Sequence, residues 1–339
     1  MTAVSARREE TEPAAVHTAP AEPLPLVRRF PGLRALPRAR LTSAASLPTP
    51  VEDASALARG LWIKRDDRAA EPFGGNKVRA LEFLLGGLRS DERVITVGSR
   101  GSTHALATAV YARQLGSRAA VYLWPQEMNE AAEIVARRIE AVAAETRLAS
   151  SPITAYLRAT AARLRGGRWI PAGGSTPLGV LGAVNAGPEL ARQVAEGQLP
   201  APKRIVVPLG SGGTAAGLLL GTEIAGLRTQ IVGVRVVPRL VGTRRRVLRL
   251  ARGAARLVAR YAGEAVPAPR PSRMDVLHDY YGGAYGRVTD AGAAAAARAA
   301  REVVVDPTYG AKALAAALSL ASPAEPVLFW LTFDARMLH

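Results

Sequence analysis

The chain has 339 residues, 48% of them hydrophobic, which is enough to bury a sizeable core and too apolar for a disordered chain. It has no cysteine, hence no disulfide and no thiolate nucleophile or metal centre, and its four histidines form no H-x-x-x-H pair that would mark a helical metal site. The formal charge of +17 is carried mainly by arginine, since only four of the 45 basic residues are lysines, and its dispersion over the chain argues against nucleic acid as a partner.

Residues 1–25, with Pro, Ala and Glu but little apolar periodicity, read as a flexible leader. No basic stretch precedes an apolar one there, and Glu9, Glu10 and Glu12 oppose a mitochondrial transit peptide, so the expected compartment is cytoplasmic. No apolar run approaches the ~18 residues that span a bilayer. At about 150 residues per domain, two domains, or one large one, are expected.

From Leu61 onward strand-like runs alternate with helical patterns. Leu61 to Lys64 predicts a strand, and Lys77 to Leu88 a helix with Val78, Leu81, Leu84, Leu85 and Leu88 on one face. Val94 to Val97 predicts a strand, followed by a helix from Thr103 to Leu115 closed by Gly116. Ala119 to Leu123 is the next expected strand, and Glu130 to Glu145 the next helix. Trp169-Ile170-Pro171 leads to a glycine-rich turn at 172–175. Arg204 to Leu209 predicts a buried strand running into Gly210-Ser211-Gly212-Gly213-Thr214 and a helix from Ala215. Ile231 to Val237 and Val327 to Leu331 complete the strands. Such alternation implies a mostly parallel sheet with helices on both faces. Between Arg239 and Arg273, Val247, Leu250, Ala251, Ala254, Leu257, Val258 and Tyr261 share one helical face, and Arg245, Arg249, Arg252, Arg256 and Arg260 another. Without interleaved aromatics this reads as a surface helix with a solvated basic face.

Three clusters carry chemistry. In the strand–loop–helix at 206–218, glycines allow a tight turn whose N–H groups converge on an anion beside a helix N-terminus, with Ser211 and Thr214 offering hydroxyls. It lacks the Gly-Lys-Ser/Thr of a Walker loop. A dinucleotide site would need an acid at the end of the next strand, where Val236-Val237-Pro238-Arg239 has none. In Phe73-Gly74-Gly75-Asn76-Lys77, a lysine stands at a helix start, where the dipole lowers an amine's pKa and suits attack on a carbonyl. Lys64 falls in a strand, Lys203 on a Pro-rich loop and Lys312 inside a helix, which leaves Lys77 as the best Schiff-base candidate. In Gly98-Ser99-Arg100-Gly101-Ser102-Thr103-His104, hydroxyls at a helix start suit a carboxylate or serve as an N-cap.

The order of these clusters, with Trp62-Ile63-Lys64-Arg65-Asp66-Asp67 before them, resembles the 1-aminocyclopropane-1-carboxylate deaminase / D-cysteine desulfhydrase family. Further matches are Ile170 to Gly179, Ala284-Tyr285-Gly286 and Asp306 to Ala313, so that the resemblance spans roughly residues 30–335. It implies an α/β fold of two open, twisted, mostly parallel sheets flanked by helices, the tryptophan-synthase-β type (fold type II), binding pyridoxal 5'-phosphate. A large domain of residues 26–85 and 171–339 would carry a small α/β domain, 86–170, inserted in it. Lys77 would bond the cofactor and shuttle the Cα proton, Ser102 would bind the substrate carboxylate or act as a nucleophile or relay, and Tyr285 and Tyr309 would assist proton transfer or orient the substrate. Gly210, Ser211, Gly212, Gly213 and Thr214 would hold the phosphate, with Asn76, Thr103 and Thr332 also at the cofactor. The implied activity is a lyase or deaminase reaction on a small amino acid that releases ammonia and a 2-oxo acid, performed by a homodimer. The chain departs from the family pattern at Ala80, Thr103, Gly310 and Phe333-Asp334. A repurposed, non-catalytic member that binds a ligand or partner is the alternative.

Overall fold

The computed structural model describes residues 24–42 and 46–338. The leader expected at 1–25 lies outside the described residues except for its last two, where the fold has already begun: Leu24 is buried and Pro25 opens the first helix. The helices are α1 Pro25–Arg29, α2 Asn76–Leu84, α3 Thr103–Gln114, α4 Glu130–Val142, α5 Pro152–Leu164, α6 Pro177–Ala195, α7 Gly213–Ile224, α8 Arg244–Ala262, α9 Asp290–Ala299 and α10 Gly310–Leu320. The strands are β1 Val51–Asp53, β2 Leu61–Arg65, β3 Arg93–Ser99, β4 Arg118–Trp124, β5 Glu145–Leu148, β6 Arg168–Ile170, β7 Arg204–Leu209, β8 Gln230–Arg235, β9 Met274–Leu277 and β10 Val327–Leu331.

Six strands pair in the order β1-β2-β10-β7-β8-β9, parallel throughout except for the antiparallel edge pair β1–β2. The other four form a parallel sheet in the order β5-β4-β3-β6. Strand residues alternate between faces, and each sheet is covered on both. In the larger sheet Ile205, Val207, Leu328 and Trp330 join the core under α6, α7 and α8, whereas Val206, Phe329 and Leu331 join the one under α9 and α10. In the smaller, Val94, Val121 and Leu123 pack with residues of α3 and α4, and Ile95, Val97, Ala120 and Tyr122 with those of α5. Register aligns Leu331 with Arg65, Leu209 with Arg235 and Ser99 with Trp124, so neighbouring strands end level at their carboxyl edges. Ligands of open parallel sheets bind at such edges.

Several boundaries differ from the sequence reading. The helix expected through Glu145 stops at Val142, because Glu145 pairs in the sheet opposite Ala120 and is held by ion pairs with Arg93 and Arg147, which outweigh local helix preference. The helix expected to reach Leu88 ends at Leu84, ahead of the glycines at 86 and 87. The strand expected to reach Val237 ends at Arg235, and Val236 and Val237 turn to line a cleft. The helix expected from Ala215 starts at Gly213. In α8 Val247, Leu250, Ala251, Ala254 and Val258 are buried, while Arg245, Arg249, Arg252, Arg256 and Arg260 are exposed. Among the described residues no helix is long and apolar enough to cross a membrane.

Candidate active site

The loop before α2 is fastened from two strand ends. Gly74 N donates to Asp334 Oδ2 at 2.7 Å, Gly75 N to the Asp66 carbonyl at 2.7 Å and Asn76 N to the Thr332 carbonyl at 3.1 Å. Gly75 has φ +90°, and a Cβ there would stand 2.6 Å from the Thr332 oxygen, so glycine is required. Asp334, one of the departures from the family pattern, thus supplies a clamp for this loop, and its carboxylate is held in turn by Arg336.

Beneath the loop lies a buried cluster of two cations and two anions. Arg79 donates to Asp66 and Glu189, and the Lys64 ammonium gives its N–H groups to Glu189 Oε1 at 2.7 Å, Gln193 Oε1 at 2.5 Å and the Thr49 carbonyl at 2.6 Å. Trp330 of β10 donates to Asp66 Oδ2 at 2.8 Å, tying the central strand to the same cluster. Arg79 lies in the first turn of α2, so these bonds fix the turn that carries Lys77.

Lys77 is half-buried and opens onto the cleft. Burial lowers its pKa from 10.5 to about 8, against the raising effect of the Asp306 carboxylate. The other lysines are placed elsewhere: Lys64 is locked in the cluster, Lys203 is exposed, and Lys312 donates to the Tyr281 carbonyl at 3.0 Å. Of the chain's four lysines, Lys77 alone lines this cleft.

The cleft has a volume of about 180 Å³ and is walled by the carboxyl ends of β3, β4, β7, β8 and β10. Gly210, Ser211, Gly212, Gly213 and Thr214 line it with Asn76 and Lys77. Gly212 is left-handed (φ +92°), which turns the chain into α7. The N–H groups of Gly212, Gly213, Thr214 and Ala215 meet no acceptor among the described residues. Four such donors on a cleft wall at a helix N-terminus fit an anion. Asn76 Nδ2 donates to Thr214 Oγ1 at 2.7 Å, so the lysine loop and the anion loop are joined and the Thr214 O–H is left to donate. Ser175 Oγ and Ser211 Oγ are hydrogen-bonded at 2.7 Å.

Ser102, Thr103, Tyr285, Tyr309 and Thr332 line the same cleft. Ser102 is the N-cap of α3, its Oγ accepting from Ala105 N at 3.2 Å, which leaves its O–H to donate outward. Tyr285 and Tyr309 hydroxyls are hydrogen-bonded to each other, and Ser99 Oγ donates to Tyr285 at 3.4 Å. Burial raises both phenols, keeping them protonated. Behind them Asp306 accepts from Tyr309 N at 2.6 Å and Gly310 N at 2.8 Å, and burial lifts its pKa to about 6 despite those bonds. A Cβ on Gly310 would lie 2.8 Å from Asp306 Oδ2, so that departure leaves the carboxylate its room. His104 is buried with Nδ1 unpartnered; burial, then the Lys77 charge, bring its pKa to about 3, so it is neutral. Sequence reasoning did not single out Ser99, Ser175 or Asp306, although all three lay inside the motifs it used. It also passed over Trp124 and Arg246. Trp124 stands at a strand end on the cleft wall, and Arg246 donates to the Ser211 carbonyl with no local motif to mark it.

Pyridoxal phosphate needs an amine to hold its carbonyl and donors to hold its phosphate, and this cleft supplies both. Residues 42–332 match the family model described as pyridoxal-phosphate dependent enzyme. The chain is 39% identical to a nocardicin C-9' epimerase of Nocardia uniformis subsp. tsuyamanensis, over 89% of this chain and 94% of that one. It is 32% identical to a D-cysteine desulfhydrase of Salmonella choleraesuis, over 84% of this chain and 88% of the relative. The crystal structure of an ACC deaminase homologue superposes with a TM-score of 0.74 at 29% identity, covering 93% of this chain and 95% of that one. The two-sheet α/β architecture is fold type II, and the chain belongs to the pyridoxal-phosphate dependent enzymes.

Proposed function

We propose that this enzyme is a lyase or deaminase for a small amino acid, releasing ammonia and a 2-oxo acid as in the reactions for which its D-cysteine desulfhydrase and ACC deaminase relatives are named. The observation that carries the proposal is Lys77, an amine with a pKa of about 8 that shares a cleft with four unpaired loop N–H groups. When bound, pyridoxal phosphate supplies the electron sink that makes the Cα–H of a joined amino acid acidic. The loop from Gly210 to Thr214 holds the phosphate. Thr103 and Thr332, on the same cleft wall, would hold the ring, and Asn76 keeps the phosphate loop and the lysine loop in register. Lys77 Nζ, partly neutral at physiological pH, would hold the cofactor through its carbonyl and, once displaced by the substrate amine, would accept the Cα proton. Ser102 O–H and the N-terminus of α3 bind the substrate carboxylate. Tyr285 and Tyr309, kept protonated by burial, donate a proton toward the departing group and withhold it from water.

A second reading, epimerisation at Cα, is favoured by the 39% identical relative, which is named as an epimerase. It uses the same proton removal at Lys77, with a proton delivered to the opposite face by an acid other than Lys77. We further propose, on the resemblance, that the enzyme is a cytoplasmic homodimer and that residues 86–170 form an inserted domain. The first experiment is an absorbance spectrum with added pyridoxal phosphate beside Lys77→Ala, where a visible band present only in the wild type supports the role given to Lys77. Amino acids are then assayed in D₂O. Ammonia and 2-oxo acid support the first reading, and Cα deuterium with inversion but no ammonia supports the second. No band, or the same band in both proteins, refutes both.

A further inference from the structure

The peptide between Ser211 and Gly212 is trans, so its C=O and N–H point in opposite directions. Arg246 stands on the carbonyl side, its Nε donating to the Ser211 oxygen at 2.8 Å. On the other side the Gly212 N–H meets no acceptor among the described residues, and Gly212 lines the cleft. Rotation of this peptide would exchange the two groups and turn a partial negative charge toward the cleft. Gly212 has no side chain to resist that rotation, so the orientation needs a tether.

Arg246 is well placed to be the tether. It is the third residue of α8, where the Thr243 N-cap accepts its backbone N–H at 3.1 Å. The first turns of α8 pack on the loop, since a Cβ on Gly212 would lie 3.4 Å from Val247 Cγ2 and 3.7 Å from Leu250 Cδ1. The exposed arginines of the same helix face away, while Arg246 is half-buried, and among the described residues it forms no ion pair with a carboxylate. Its field also reaches the cleft wall: burial raises the Tyr156 phenol, the Ala172 backbone and the Arg246 charge oppose that rise, and Tyr156 stacks on Trp124 at 6.1 Å.

We propose that Arg246 is a positioning residue for the phosphate of the cofactor, holding the Ser211–Gly212 peptide with its N–H toward the cleft. This rests on the phosphate role given above to the Gly210–Thr214 loop. The arginine acts from behind the loop, through the peptide, and does not itself line the cleft.

The test compares pyridoxal phosphate with pyridoxal, which lacks the phosphate but keeps the carbonyl that Lys77 attacks. The full chain, freed of cofactor, is titrated with each, and both dissociation constants are read from absorbance and by equilibrium dialysis. In the wild type the phosphate compound must bind more tightly. If the two bind alike, the phosphate loop reading itself fails. In Arg246→Met, which keeps the aliphatic packing, pyridoxal phosphate affinity is expected to fall about ten- to a hundred-fold, the range of one hydrogen bond to a charged group, with pyridoxal changed less than about two-fold. Unchanged pyridoxal phosphate affinity, or an equal loss for both compounds, overturns the inference while leaving the loop reading intact. Arg246→Gln retains an N–H donor without the charge and is expected to keep most of the discrimination. A glutamine variant as defective as the methionine one, with unchanged melting temperature, overturns the tethering role.

Discussion

Replacing Glu189 by glutamine removes one negative charge from a buried cluster whose signs otherwise balance, Lys64 and Arg79 against Asp66 and Glu189. Glu189 is 2% exposed and accepts from Lys64, from Arg79 and from Thr49 N at 2.9 Å, so the amide can keep some of these bonds but not the charge. Leaving a buried cation without its partner costs about 3–5 kcal/mol. Burial pushes the Glu189 carboxyl up, but the Arg79 and Lys64 charges more than reverse this and hold it at about 2, down from 4.5. That depression is worth about 3 kcal/mol at neutral pH. Because the folded value lies below the unfolded one, the contribution is complete above pH 4.5 and is lost as pH falls toward 2. Urea unfolding followed by far-ultraviolet circular dichroism should therefore show Glu189→Gln destabilised by about 3–5 kcal/mol at pH 7. The melting temperature should fall by roughly 4–7 °C, and the wild-type advantage should shrink toward pH 2. Adding Lys64→Met restores the charge balance, so the double variant should lose less than the sum of the two single changes. A loss below about 1 kcal/mol for Glu189→Gln, or strict additivity in the double variant, would show that the charges are not coupled as argued.

Three further outcomes follow from the site. The rate at which the cofactor-free chain captures pyridoxal phosphate should rise with pH and level off above about 8, because the neutral Lys77 amine is the attacking form; a stopped-flow profile that is flat from pH 6 to 9 contradicts this. Asp334→Ala leaves Gly74 N without its acceptor and should weaken folding by roughly 1–3 kcal/mol, accompanied by faster hydrogen exchange at residues 74–77, which mass spectrometry would detect. Gly310→Ala forces a methyl against Asp306 and should destabilise by about 1–3 kcal/mol, with Asp306→Ala relieving most of the added loss, as a double-variant cycle would reveal.

Much of the fold was legible because parallel strands buried on both faces appear as unbroken apolar runs. Val327–Leu331 and Arg204–Leu209 were read with the bounds they have. The short polar strand β5 was not legible, since Glu145-Thr146-Arg147-Leu148 becomes a strand only by pairing with β4. Nor was α6, where Gly179, Gly182, Gly187 and Pro188 look like turn residues. The small size of Gly187 instead lets α7 approach, to the point where a Cβ there would lie 2.1 Å from the Gly221 carbonyl carbon, and that of Gly182 lets α2 approach, with the Arg79 carbonyl oxygen 1.9 Å from a Cβ. At the site, residues within contiguous motifs, such as Lys77 and the 210–214 loop, were accessible to sequence reasoning. Arg246 was not, because its partner Ser211 lies 35 positions away and its neighbours form an ordinary basic helix face. Asp334 was noticed only as a departure, since nothing local shows that its carboxylate reaches Gly74, 260 positions earlier.

β10 lies between β2 and β7 in the larger sheet, yet it follows both of them in the chain and is made long after Lys77. Trp330, Thr332 and Asp334, in or just after this strand, provide the bonds that hold Asp66, Asn76 and Gly74. Synthesis runs from the N-terminus, so Lys77 leaves the ribosome long before the parts that shape its surroundings exist. Until they arrive it is an ordinary solvated lysine, without the desolvation that tunes its amine. The reactive centre is therefore assembled only after residues 327–334 have been made, and a nascent chain has little hold on a free aldehyde before then.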